Sequence, residues 1–202
     1  MTLTLLHTAP VHVATFDRLR DRIAPGVALR HVVEDGWLAE ARAQGVTTDL
    51  EARLAGVIGD APGPVLCTCT TLGPAAARLG AVRIDQPMMQ AAVRIGGVAV
   101  MAYALESTRE ASRDLFLAEG GRADQLRMLD LTGLWRLFET GEAGVFPRAI
   151  ARAVRDDLAA HGGDVVILAQ ASMAGAAAGL EDLPVPVLSS PELALRHALS
   201  LA

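Results

Sequence analysis

Residues 65–73, VLCTCTTLG, begin as an apolar run and end in a thiol, threonine hydroxyls and a glycine. A short apolar run followed by turn-forming residues is typical of a buried strand, and Pro74 directly afterwards suits the first turn of a helix. The stretch therefore predicts a turn between a strand and a helix. This turn carries Cys69, Thr70 and Thr71.

The same pattern recurs about one hundred positions later, in residues 166–174, VILAQASMA, where Gln170 aligns with Cys69. Two shorter segments repeat as well: LRHV at 29–32 returns as LRML at 126–129, and IDQP at 84–87 returns as LSSP at 188–191. A repeated strand-and-helix unit predicts two similar lobes. We place them at residues 1–96 and 97–202, with the closing helix able to pack on the N-terminal lobe.

Apolar runs alternate with amphipathic helical stretches along the whole chain, which predicts an α/β fold of two pseudo-symmetric, Rossmann-like lobes built on parallel sheets. Ligands of such sheets bind beyond the carboxyl ends of the strands. We therefore expect the active site in the cleft between the lobes, with Cys69 and Gln170 facing one ligand. The pattern also predicts a helix at 107–119 with Ser107 as its N-cap, and a helix at 174–180.

Composition argues against several classes of function. The chain has a net charge of −5 and contains no lysine, so neither a Schiff base nor a P-loop is available. Its arginines are scattered among acidic residues, whereas nucleic-acid binding needs a denser positive patch. No segment resembles a signal peptide or a membrane span, and two cysteines are too few for a disulfide scaffold. We expect a cytoplasmic protein without metal, cofactor, nucleic-acid or membrane partner.

Cys69 is the candidate catalytic residue, because the N-terminus of a helix favours the thiolate form of a cysteine. The alternative interpretation is a small buried hydrophobic residue that ends a strand. Cys67 lies on the same strand face but deeper, where core packing is the usual outcome, and a redox or metal role for the pair would need further ligands. No serine-hydrolase elbow or dinucleotide-binding glycine motif accompanies them.

The candidate ligand-binding residues lie at the predicted strand ends and at the two repeated turns. The hydroxyls and amides of such turns can hold a carboxylate, so a small carboxylate is the expected substrate. Asp85 could alternatively cap the following helix, and Gln170 offers hydrogen bonds but no ionisation. The candidates are His7, Thr8, Glu34, Thr70, Thr71, Asp85, Gln170, Ala171 and Ser172. His12, His161 and His197 are expected on the surface.

These motifs resemble the cofactor-independent aspartate/glutamate/hydantoin racemase superfamily over essentially the whole chain. Cys69-Thr70-Thr71 is similar to the family's first Cys-Asn-Thr or Cys-Ser-Ser turn, and Gln170-Ala171-Ser172 stands where the family has its second cysteine turn. His7-Thr8 and Glu34-Asp35-Gly36 fall at family ligand-binding segments. The resemblance implies an enzyme that uses neither pyridoxal phosphate nor metal, and that forms a homodimer in many members.

The resemblance also implies two cysteines that flank the substrate Cα, one removing the proton and the other returning it from the opposite face. Here Gln170 replaces the second cysteine, and an amide cannot act as an acid or base. An aspartate/glutamate racemase-like isomerase is therefore one prediction. A decarboxylase, lyase or cis-trans isomerase with a single cysteine is the second, and a carboxylate-binding protein without catalysis is the third.

Overall fold

A computed structural model describes residues 2–141 and 144–201, and in these ranges eight strands form two parallel sheets. This arrangement confirms the α/β prediction. The first sheet contains β1 (Thr2–His7), β2 (Ala28–Val33), β3 (Val65–Cys67) and β4 (Val82–Arg83). The second contains β5 (Ala99–Tyr103), β6 (Leu126–Asp130), β7 (Val165–Leu168) and β8 (Val187–Ser189).

Helices follow most of the strands, as the right-handed crossover between parallel strands requires. They are α1 (Val11–Ile23), α2 (Asp35–Gln44), α3 (Thr48–Gly59), α4 (Gly73–Arg78), α5 (Gln86–Ile95), α6 (Glu106–Ala118), α7 (Trp135–Glu139), α8 (Val145–His161) and α9 (Ser190–Ser200). Three 3-10 helices at Ala123–Gln125, Thr132–Leu134 and Ala171–Gly179 complete the described elements. No helix of residues 2–141 and 144–201 is both long and apolar enough to cross a membrane.

Each sheet belongs to its own unit of the chain. The first unit is Met1–Pro87 together with Pro191–Ala202, and the second is Met88–Ser190. The last segment, which contains most of α9, is tied to α1 within the first unit by an ion pair between Arg22 and Glu192.

The strand order places the ends of two central strands next to each other in each unit. The order is β2-β1-β3-β4 in the first sheet and β6-β5-β7-β8 in the second, with every pair parallel. The order reverses between β1 and β3 and again between β5 and β7, and ligands of such sheets bind at this switch point. The register pairs Leu6 with Cys67, and extending it two residues past these positions brings Thr8 opposite Cys69.

Apolar side chains on both faces hold the central strands in the interior. Leu3, Leu5 and Leu6 of β1 are completely buried, as is every residue of β7 from Val165 to Leu168. Parallel strands that are covered on both faces have such nearly continuous apolar runs. The most continuous apolar runs of the sequence are therefore central strands of the two sheets.

Several local details at helix boundaries differ from the sequence-based expectations. Segment 34–36 leads directly into α2, which buries Trp37 and Ala41 one turn apart, and ligand binding by this segment stays a prediction. Ser107 lies inside the first turn of α6 rather than at its N-cap, because the helix already begins at Glu106. The helix expected at 174–180 is a 3-10 helix that begins three residues earlier, at Ala171, and ends at Gly179.

A close backbone contact before β3 provides a test of the packing. A Cβ atom added at Gly63 would lie 2.7 Å from the carbonyl oxygen of Thr2, whereas one added at Gly59 would meet nothing within 4 Å. We expect Gly63→Ala to lower the free energy of unfolding by about 1–3 kcal/mol, because the backbone must shift to relieve the contact. Urea unfolding measures the change. Gly59→Ala, within α3, is the control and should be neutral or slightly stabilising; equal effects of the two substitutions would contradict the packing.

Candidate active site

Cys69 lies in the turn two residues beyond the end of β3, and its side chain is buried, with 7% of the residue exposed. The sulfur has hydrogen bonds with the Thr8 side chain and with the backbone at Thr71 and Leu72. These contacts come from two different strand ends, since Thr8 follows β1 and the two amides belong to the turn after β3. The thiol therefore lies at the switch point of the first sheet.

Burial raises the pKa of the Cys69 thiol above its ordinary value, and the hydrogen bonds from Thr8, Leu72 and Thr71 only partly oppose this effect. The expectation of an acidic thiol at a helix N-terminus is therefore wrong for the free protein. Helix α4 has only six residues, so its dipole is small, and loss of solvent is the larger effect. Near neutral pH the Cys69 side chain is a protonated thiol.

Cys67 is a core residue. It is completely buried within β3, and its sulfur contacts the carbonyl oxygen of Cys69 at 3.7 Å. Burial raises the pKa of this thiol as well. Both cysteines are free, and both belong to the hydrophobic core cluster of the first unit, with Leu6, Leu72 and Ala75 among its members.

Asp85, a candidate ligand-binding residue, is bound by a neighbouring arginine. Its carboxylate is completely buried and accepts hydrogen bonds from Arg83 Nε at 3.0 Å and Arg83 Nη2 at 2.8 Å. Burial raises the pKa of Asp85, and the Arg83 guanidinium opposes that rise. A bidentate pair of this kind uses both carboxylate oxygens. The carboxylate is thus bound by Arg83 at the end of β4, and ligand binding by Asp85 stays a prediction.

His7 is also occupied within the first unit. The residue is completely buried at the end of β1; its Nδ1 lies 2.8 Å from the Thr68 hydroxyl and its Nε2 lies 2.8 Å from His31 Nδ1. Both ring nitrogens therefore have protein partners, and ligand binding by His7 stays a prediction. His12, expected on the surface, is buried as well and lies with its ring centroid 6.2 Å from that of His7.

The remaining candidates of the first unit lie around the same strand ends. Thr8 and Thr70 are buried, Thr71 is partly exposed, and the Thr70 carbonyl accepts a hydrogen bond from the Gly73 amide at 3.2 Å. Glu34 follows β2 and is partly exposed, and its backbone amide donates to the His7 carbonyl at 2.8 Å. The structure therefore brings Thr8, Thr70 and Thr71 to the Cys69 turn, and places Glu34 at the end of the adjacent strand.

In the second unit, Gln170 occupies the switch point with its own side chain. It is buried, and its Oε1 accepts a hydrogen bond from the Ala104 amide at 2.6 Å, with the Thr108 hydroxyl 3.5 Å away. Ala171 and Ser172 begin the following 3-10 helix, whose N-terminus has no side-chain cap. Gln170 thus joins the ends of β5 and β7.

The two switch points contain equivalent pairs with different chemistry. Extended by two residues, the strand register brings Thr8 opposite Cys69 in the first unit. The same extension in the second unit brings Ala104 opposite Gln170. The first pair offers a hydroxyl and a thiol, and the second offers a backbone amide bound by a neutral side chain. Among the described residues, no group of three or more histidine, cysteine, aspartate or glutamate side chains could hold a metal ion.

No protein-family model matches the sequence, and no curated protein sequence matches it significantly. Solved structures do match. The glutamate racemase of Francisella tularensis subsp. tularensis SCHU S4, solved in complex with D-glutamate, has a TM-score of 0.73 at 10% identity; the match covers 99% of this chain and 80% of that one. The chain has the racemase fold.

Two further structures with the racemase fold show the same likeness. The allantoin racemase of Klebsiella pneumoniae has a TM-score of 0.70 at 18% identity, over 100% of this chain and 87% of that one. The aspartate racemase of Picrophilus torridus has a TM-score of 0.68 at 12% identity, over 98% of this chain and 93% of that one. Racemases named for three different substrates thus share the fold of this chain.

Gln170 provides a test of the second switch point. We expect Gln170→Met to lower the free energy of unfolding by about 1–3 kcal/mol, because the buried Ala104 amide loses its acceptor. Urea unfolding measures the change. Gln125→Met, at a partly exposed position of the same unit, is the control and should change stability little. Equal stabilities of the two variants would show that the Gln170 hydrogen bond contributes nothing.

The buried histidines predict a loss of stability in acid. Burial lowers the pKa of His7 to about 3, with His12 and His31 adding to the effect, and burial lowers the pKa of His12 to about 4. Below pH 6.5 these histidines bind protons in the unfolded chain but stay neutral in the folded protein. The free energy of unfolding therefore falls as the pH drops from 6.5 toward these pKa values. His7 alone should account for about 3 kcal/mol between pH 7 and pH 4.

Urea unfolding at pH 7, 6, 5 and 4 measures this dependence. The His7→Asn variant should lose less stability across the range, because one of the buried bases is gone. The exposed His161 offers a matched control, and His161→Gln should follow the parent protein. An equally steep decline in His7→Asn would contradict the assignment of a neutral buried His7.

Proposed function

We propose that this chain is a racemase-like isomerase that acts on a small carboxylate or amino acid, with Cys69 as the residue that carries the proton. The single observation behind this proposal is the hydrogen-bonding of the Cys69 sulfur by Thr8 and by the turn at Thr71 and Leu72. Those groups stabilise a sulfur that alternates between thiol and thiolate. The racemase fold supports the proposal as an analogy.

The substrate carboxylate would be bound beside the thiol, by the hydroxyls and backbone amides of the Thr70 and Thr71 turn and by Thr8. Turns of this kind bind anions because several N–H groups converge on one point. Ala171 and Ser172 at the second turn stay a prediction, as does Glu34. The reaction would need no pyridoxal phosphate, in keeping with a chain that has no lysine to hold it. Homodimer formation also stays a prediction.

A second candidate function is decarboxylation followed by protonation, and two observations favour it. The residue equivalent to Cys69 is Gln170, whose amide is bound to Ala104, so the second switch point supplies no acid or base. Burial also keeps Cys69 protonated, which suits a proton donor better than a base. In this reaction the electron pair of the broken C–C bond remains on carbon as CO2 leaves. The thiol proton then moves to that carbon, and solvent reprotonates the sulfur.

Incubation in D2O separates these reactions. Glutamate, aspartate, allantoin and methylmalonate are offered one at a time, and NMR follows deuterium at Cα together with the release of CO2. Exchange at Cα without CO2 release identifies the isomerase, and release of CO2 with one deuterium in the product identifies the decarboxylase. We expect Cys69→Ala to reduce either reaction by about 10²- to 10⁴-fold, because the proton carrier is lost.

Cys67→Ala is the matched control, since it removes the other thiol from the core. When variant and parent are compared at the same fraction of folded protein, Cys67→Ala should retain the activity. Equal activity of Cys69→Ala and the parent protein would refute the proposed role of Cys69. If no substrate reacts while carboxylates still raise the melting temperature, the chain is a carboxylate-binding protein, and the catalytic proposal fails.

A further inference from the structure

A continuous line of hydrogen bonds leads from the surface of the first unit to the residue before Cys69. Asp17 on α1 is 42% exposed, and its Oδ1 lies 3.3 Å from His31 Nε2. His31 Nδ1 lies 2.8 Å from His7 Nε2, and His7 Nδ1 lies 2.8 Å from the Thr68 hydroxyl. Four side chains from three strand segments and a helix thus form one chain of contacts.

Only one direction of these bonds leaves both imidazoles neutral. The Thr68 hydroxyl donates to His7 Nδ1, His7 Nε2–H donates to His31 Nδ1, and His31 Nε2–H donates to the Asp17 carboxylate. In the opposite direction His31 would donate to His7 through Nδ1. It would then need a second proton, on Nε2, to form a hydrogen bond with the Asp17 carboxylate. It would then be a cation.

The Thr68 hydroxyl has one proton and two acceptors within reach, the Leu6 carbonyl at 3.0 Å and His7 Nδ1 at 2.8 Å. The Leu6 carbonyl also accepts the Thr68 backbone amide at 2.9 Å, so it keeps a donor when the hydroxyl donates to His7, the nearer acceptor. The burial of His7 works in the same direction, because a buried imidazole is more stable without charge.

We propose that Asp17, His31 and His7 are positioning residues whose directed hydrogen bonds, ending on Thr68, hold the Cys69 turn against Thr8. His7 is well placed for this role, since its chain neighbour Thr8 contacts the Cys69 sulfur and its partner Thr68 directly precedes Cys69. One imidazole thus fixes both sides of the contact to the sulfur. This inference deepens the proposed function, because it concerns the same thiol, but its test requires no turnover.

Among the described residues of this network, Asp17 is the one with a carboxylate, and Arg20 lies 3.5 Å from it. The side chains that face His7 are His12 and Phe16 from α1, His31 from β2, and Thr68 after β3. The carboxylate of Asp17 is therefore the charge that orients both imidazoles.

Imidazole ¹⁵N NMR of the full chain at pH 7 tests the direction. We expect His7 and His31 to be Nε2–H tautomers, and Asp17→Asn to convert His7 into a tautomer mixture, because the orienting charge is lost two hydrogen bonds away. Asp21→Asn is the matched control, since Asp21 also pairs with Arg20 and should leave His7 unchanged. An Nδ1–H tautomer of His7 in the parent protein, or an Asp17→Asn spectrum identical to it, would overturn the proposal.

The effect on Cys69 is measured by iodoacetamide alkylation across pH in a Cys67→Ala background. His7→Asn and His7→Leu both lose the bond to His31 and leave similar space, but only asparagine places a polar atom near the former Nδ1. We expect the alkylation midpoint of His7→Leu to lie about one pH unit above that of His7→Asn, because the Thr8 bond to the sulfur loosens. Equal midpoints, or a lower one in His7→Leu, would reject the positioning role even if Cys69 proves catalytic.

Discussion

The parallel pairing of β1 with β3 is the constraint on which the first unit depends. It places His7 beside Thr68 and Thr8 beside Cys69, although about sixty residues separate the partners along the chain. At this switch point β1 and β3 lead away from each other into different crossovers, so the turns that follow them lie side by side at one edge of the sheet. The hydroxyl, the thiol and the turn amides therefore converge at one point.

Loss of solvent controls the chemistry of this point more than the formal charges do. Burial raises the pKa of Cys69 and of Asp85 and lowers the pKa of His7, so each group is moved toward its neutral form. Local partners then offset the effect to different degrees: hydrogen bonds for Cys69, and a bidentate arginine for Asp85. Near neutral pH the outcome is a protonated Cys69 thiol after β3 and a neutral His7 imidazole at the end of β1.

The second unit shows how one backbone frame can hold different chemistry. Its sheet has the same strand order, and β5 and β7 meet as β1 and β3 do. At the equivalent position, however, the Gln170 side chain bonds to the Ala104 amide and ties the two strand ends together. The two units thus share the geometry of the switch point but differ in its side chains, with a thiol in the first and an amide bound to the neighbouring strand end in the second.

The sequence alone determined the alternation of strands and helices, the internal repeat and the position of Cys69 on a turn, because these depend on local apolar patterns and turn-forming residues. It also indicated Thr8, Thr70 and Thr71. It could not show that His7 and Asp85 are occupied by protein partners, or that His31, Asp17 and Thr68 belong to the same network. Those contacts depend on register between distant segments, and burial, which sets the protonation of Cys69 and His7, exists only once the tertiary structure excludes water.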